Sequence, residues 1–75
     1  MTLAYITITT EVGGEKAVKD SLSALPEVKE VHEVYGGYDL VVRVETEEIS
    51  ELKDSLGEKI RSLDGVRSTL TMIVI

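Results

Sequence analysis

Twice along this chain an alternating, β-branched segment gives way to helically spaced apolar residues and then returns to alternation. Few small folds satisfy that order. Thr2 to Thr10 alternates strictly, with Ala4, Ile6 and Ile8 on one face and Leu3, Tyr5, Thr7 and Thr9 on the other, which predicts a strand. Gly13-Gly14 interrupts it, and from Glu15 the apolar residues fall at Val18, Leu22 and Leu25, spacings of four and three that predict a helix. Pro26 closes that helix, because the residue before proline disfavours the α region. Val28 to Tyr35 and Tyr38 to Glu45 read as two strands around Gly36-Gly37, the first at a sheet edge because Lys29, Glu30 and Glu33 suit a solvated strand. Thr46 is a candidate N-cap for a second helix that places Ile49, Leu52, Leu56, Ile60 and Leu63 on one stripe. Gly65 ends the helix in a left-handed cap, and Arg67 to Ile75 forms the last strand.

The order is βαββαβ. Right-handed crossovers then place both helices on one face of a four-stranded antiparallel sheet, the ferredoxin-like α+β arrangement, as one domain over residues 1–75. The helix-covered face is expected to carry Ile6, Ile8, Leu40, Val42 and Leu70 or its neighbours. The opposite face would carry Leu3, Tyr5, Val41, Ile73 and Ile75, and an uncovered apolar patch of that kind marks an interface. Two sheets packed face to face in a two-fold homodimer, a dimeric α+β barrel, would bury it.

Length makes the same demand. A chain of 75 residues buries a modest fraction of its unfolded surface, so small domains draw on disulfides, metal or association. Cysteine is absent, which removes disulfides and thiolate metal sites together and leaves association. No metal or other cofactor is expected. The formal net charge of −6, with Lys and Arg scattered among acids, argues against direct nucleic-acid binding. No apolar run reaches the roughly 20 residues that span a bilayer, so a cytoplasmic protein without membrane contact is expected. Asn, Gln, Cys, Phe and Trp are all missing, a composition of thermophile type.

Gly36-Gly37 reads as the centre of a tight, two-residue primed hairpin turn, which needs positive φ. The glycines leave backbone N–H groups unshielded beside the Asp39 carboxylate. On residue chemistry alone this stretch is first a turn, with Asp39 stabilising it and Thr69 and Thr71 serving as strand formers. Few other groups offer chemistry. RNA-binding modules of this topology stack bases on exposed aromatics. Here the aromatics are only Tyr5, Tyr35 and Tyr38, without an accompanying basic signature. His32 is the only histidine, and it would need an orienting partner and a closed pocket to act as a general base. A small dimeric α+β barrel enzyme of oxygenase or isomerase type, with His32 in a cavity between sheet and helices, is therefore an alternative, and a purely structural assembly module is another. No nucleophile constellation or P-loop is present, and no catalytic residue is assigned.

The Ala4-Tyr5-Ile6 opening, Pro26-Glu27-Val28 after the first helix, Gly36-x-Tyr38-Asp39 at the hairpin and Gly65-Val66-x-x-Thr69-x-Thr71 in the last strand occur together in this order. In that combination the chain resembles the effector-binding domain of the leucine-responsive/asparagine-type (Lrp/AsnC) transcription regulators, the regulation-of-amino-acid-metabolism domain. Regulators of that family carry an N-terminal helix-turn-helix domain; this sequence opens at the effector domain and resembles its stand-alone form. The resemblance implies a sheet-to-sheet dimer, further association into octamer or decamer rings, and possible mixing with full-length regulators. It also implies an amino-acid effector bound between neighbouring dimers by Tyr35, Gly36, Gly37, Tyr38 and Asp39, with Thr69 and Thr71 nearby. Tyr35 stands where the family commonly has a small hydroxyl residue, and Gly37 where a polar or acidic one is usual.

Overall fold

The computed structural model describes residues 1–75. Its elements follow the expected order: β1 (Thr2–Thr10), α1 (Glu15–Ser23), β2 (Val28–Glu33), β3 (Leu40–Thr46), a π-helical segment (Glu51–Leu56) running into α2 (Gly57–Arg61), and β4 (Val66–Ile73). The strands form one antiparallel sheet in the order β2-β3-β1-β4, so β1 and β3 are central and β2 and β4 are edges. This is the ferredoxin-like α+β fold.

Alternation decides what is buried. Ala4, Ile6 and Ile8 of β1 and Leu40, Val42 and Val44 of β3 lie in register and turn toward the helices, where Val18, Leu22, Leu52, Leu56 and Ile60 meet them. These eleven side chains are almost fully buried and form the single core cluster. Gly65, at φ +94°, makes the turn into β4; a Cβ there would sit 3.1 Å from the Val18 methyl, so both backbone and packing ask for glycine. Its carbonyl accepts the Glu11 N–H at 2.8 Å, which ties the two chain reversals at this end together.

Three local expectations need correction. Thr46 is not an N-cap; it is the buried last residue of β3, and its hydroxyl donates to the Glu48 carbonyl at 2.9 Å. Ile49 does not join the buried stripe. The Gly57 N–H bonds the Leu52 carbonyl five residues back, and the extra residue per turn rotates Ile49 outward while Leu52, Leu56 and Ile60 stay inside. In β4, Leu70 and Ile73 exchange faces. A bulge between Thr9 and Thr10 sets Thr10 opposite Val66 but Thr9 opposite Ser68, so one extra β4 residue inverts the parity beyond it. Ile73 consequently pairs with Ala4 and packs on the core, Leu70 pairs with Thr7 on the open face, and Ile75 lies fully exposed past the strand.

The helix phase is checked by two truncations in urea denaturation. Ile60→Ala, inside the core, is expected to lower unfolding free energy by about 2–5 kcal/mol. Ile49→Ala, on the outward side of the π turn, should change it by no more than about 0.5 kcal/mol. An Ile49 truncation as costly as the Ile60 one would show that the π segment is not formed.

Candidate functional site

The β2–β3 connection is wider than a two-residue turn. β2 stops at Glu33 rather than Tyr35, β3 starts at Leu40 rather than Tyr38, and the Val34 N–H donates to the Asp39 carbonyl at 3.0 Å. Tyr35, Gly36, Gly37 and Tyr38 therefore span the reversal. Gly36 holds φ +128° while Gly37 has no positive φ, and with six residues between the strands a two-residue primed turn is not made. A Cβ on either glycine would meet nothing within 4 Å, and Tyr35 is fully exposed. The loop thus presents open backbone and two tyrosine rings to its surroundings.

Asp39 anchors this loop. Its N–H donates to the Ile8 carbonyl at 2.9 Å, and its carboxylate Oδ2 accepts from the Thr10 N–H at 2.8 Å and more weakly from the Thr10 hydroxyl at 3.4 Å. The carboxylate clamps the loop base to the end of β1, where the bulge would otherwise leave a donor unmet. Its second oxygen, Oδ1, makes no hydrogen bond within the chain and remains free to accept one.

Thr69 and Thr71 lie elsewhere. They pair with Ile8 and Ile6 on the helix side of β4. Thr71, with Leu52, Lys53, Gly57, Arg61 and Ile73, lines a cleft of about 260 Å³ between the second helix and the edge strand. A shallower depression of about 330 Å³ near Met1 is walled by Glu27, Glu45, Glu47 and Glu51. Neither cleft contains any residue of the 35–39 loop. From strand spacing and rise, Asp39 and Thr71 are on the order of 14 Å apart. The residues singled out in the sequence therefore form two separate groups within one protomer, and Lys53, Gly57 and Arg61 were not among them. Their even spacing of four along the helix was visible; that β4 lies beside them to form a cleft was not.

The open sheet face has three rows across its strands: His32, Val41, Thr7 and Leu70; Glu30, Arg43, Tyr5 and Met72; Glu45, Leu3 and Val74. Leu3, Tyr5 and Val41 lie where expected, while Leu70, Met72 and Val74 take the places intended for Ile73 and Ile75. Tyr5, Leu70, Met72 and Val74 are between 38% and 50% exposed, a contiguous apolar patch at the β1–β4 side. The β2–β3 side is polar. Arg43 Nε donates to Glu30 Oε2 at 2.8 Å, its Nη1 donates to Glu45, and His32 Nε2 lies 3.0 Å from Glu30 Oε1. His32 is on this face, 63% exposed, and not in an interior between sheet and helices, so the cavity that an enzymatic histidine would need is not there.

The sequence matches the Lrp/AsnC ligand binding domain over residues 3–75. It is 40% identical over 73 residues to the HTH-type transcriptional regulator FL11 of Pyrococcus horikoshii, covering 97% of this chain and 48% of that one. The chain thus spans about half the length of the regulators it matches, and their Pyrococcus source fits the thermophile-type composition. A homocitrate synthase of Sulfurisphaera tokodaii is 48% identical over 59 residues, which cover 79% of this chain but 13% of the synthase. The crystal structure of FFRP-DM1 superposes with a TM-score of 0.95 at 45% identity, covering 100% of both chains.

The polar end of the open face has a definite pH signature. Hydrogen bonds from His32 and then from Arg43, with the Arg43 charge, hold the Glu30 carboxyl below its ordinary value of 4.5. A depressed carboxyl favours the folded state above its unfolded pKa, and that contribution disappears as pH falls through the lowered folded value. Arg43→Gln should move the Glu30 titration upward toward 4.5, followed by carboxyl NMR. A Glu30 midpoint unmoved by the substitution would show that the ion pair is not populated in solution.

Proposed function

We propose, from the premise that the chain belongs to the Lrp/AsnC ligand-binding domain family, that it is a non-catalytic, oligomeric module that senses an amino acid. Its output would be transcription regulation of amino-acid metabolism in the cytoplasm, through its own assembly or by mixing with full-length regulators. It would not touch nucleic acid itself, in keeping with the net charge of −6.

One observation supports this reading above the rest. No cleft of a single protomer holds the 35–39 loop together with Thr69 or Thr71. A zwitterion is stably bound only where both its charges are met, so a complete site has to be composed from more than one copy. The loop of one protomer supplies the Asp39 Oδ1 acceptor for an ammonium group, open N–H groups at Gly36 and Gly37, and the Tyr35 and Tyr38 rings as walls. The β4 side of another supplies Thr69 and Thr71. Binding and assembly are then linked: the amino acid stabilises whichever state completes the site. The apolar face of Leu3, Tyr5, Val41, Leu70, Met72 and Val74 supports a sheet-to-sheet dimer as the building block, and association of dimers into an octamer or decamer ring would bring loops and β4 edges together. The occurrence of similar segments in a DNA-binding regulator and in a synthase suits a module that reports ligand binding to different outputs.

Calorimetric titration of the assembled protein with each of the twenty amino acids tests the reading. Saturable binding of one or a few is expected. Asp39→Asn keeps an oxygen to accept the Thr10 N–H but removes the charge, so it should leave the fold intact by circular dichroism and weaken binding by about tenfold or more. Silence across the panel would overturn the sensing role and leave a structural assembly module.

A further inference from the structure

We propose that the cleft between the second helix and β4 is an oxyanion site for the carboxylate of a small amphipathic acid, formed by Lys53, Arg61 and Thr71 around the gap at Gly57. The inference rests on the amino-acid-sensing reading for its biological ligand, the α-carboxylate of the sensed amino acid. Its chemistry stands on the cleft alone.

Lys53, Gly57 and Arg61 line the same cleft at intervals of four, so two cations flank a position without a side chain. The π turn that ends at Gly57 is the irregular part of this helix, and such turns recur at functional sites. A Cβ at Gly57 would sit 3.1 Å from Arg61 Nη1 and equally close to the Leu52 carbonyl, so the guanidinium lies across the gap. Arg61 gives only Nη2 to Glu58, at 3.0 Å. Nη1 makes no hydrogen bond, Lys53 has no ion-pair partner, and the Thr71 hydroxyl is likewise uncommitted. Three donors without hydrogen-bond partners thus line one cleft in a protein of net charge −6. The guanidinium fork matches a planar carboxylate, and the ammonium adds a point charge. Leu52 and Ile73 provide apolar walls for a short aliphatic chain. Nothing in the cleft pairs with an ammonium group, which fits a half-site: Asp39 of another protomer would meet that end of an amino acid.

The test is a titration of the isotope-labelled 75-residue chain with propionate, followed by NMR at constant ionic strength, with chloride, methylammonium and inorganic phosphate as comparison arms. Saturable shifts at Gly57, Thr71 and the Arg61 side chain are expected with propionate only. Arg61→Gln should raise the apparent Kd about tenfold or more, and Gly57→Ala, which pushes the guanidinium aside, should weaken binding without removing a charge. Shifts no different from those with chloride would overturn the proposal, even if calorimetry finds an amino acid that binds. Saturation by phosphate but not propionate would overturn the carboxylate assignment. Propionate binding beside a silent amino-acid panel would leave the cleft standing and remove the sensing reading.

Discussion

Both helices lie on one side of the sheet, and most of what this chain can do follows from that asymmetry. Eleven buried side chains fill the covered side between the central strands and the helices, leaving a cleft at the β4 edge. The open side keeps Leu3, Tyr5, Val41, Leu70, Met72 and Val74 in adjacent rows, with the charged group of Glu30, Arg43 and Glu45 beside them. None of the elements within these 75 residues covers that face, and a second copy of the same sheet would complement it. In the proposed dimer the polar rows would serve as a rim that fixes how two sheets align, because unlike charges reward one register and like charges penalise others.

The loop after β2 combines two tasks in one residue. Asp39 has to hold the end of β1 through the Thr10 N–H, and in the proposed site it also has to offer its remaining oxygen to a ligand. Shared use of one carboxylate couples the loop's position to the strand that carries the core. Open glycine backbone at the tip costs conformational entropy in the protomer, and in the proposed assembly a second chain or a ligand would rest against it.

The fold was legible in the sequence because both periodicities are clean. Alternation in β1 assigned Ala4, Ile6 and Ile8 to the core, and the Leu52, Leu56, Ile60 spacing assigned the inner face of the second helix. What escaped were places where one residue is inserted into a regular count. The β4 bulge at Arg67 inverted the faces of Leu70 and Ile73, and nothing in Gly65-Val66-Arg67-Ser68 marks an extra residue. The π turn did the same to Ile49, because its cause is a hydrogen bond from Gly57 to Leu52 that spacing does not encode. The site was half legible. Gly36-Gly37-Tyr38-Asp39 stood out as a loop with a carboxylate, but the bond from Thr10 to Asp39 joins residues 29 apart and is invisible without the fold. Lys53 and Arg61 gave no functional signal in the sequence, because only the placement of β4 beneath them makes a cleft.

In the proposed assembly the open sheet face is an interface that completes the protomer. Sedimentation velocity on the 75-residue chain, beside Leu70→Asp, addresses this most directly. Leu70 lies in the apolar rows and outside the core, so the charge should spare folding by circular dichroism. The account predicts a dimer or a multiple of dimers for the unmodified chain, and a folded monomer for Leu70→Asp. A monomeric unmodified chain at tens of micromolar, or a Leu70→Asp variant that assembles as before, would contradict it.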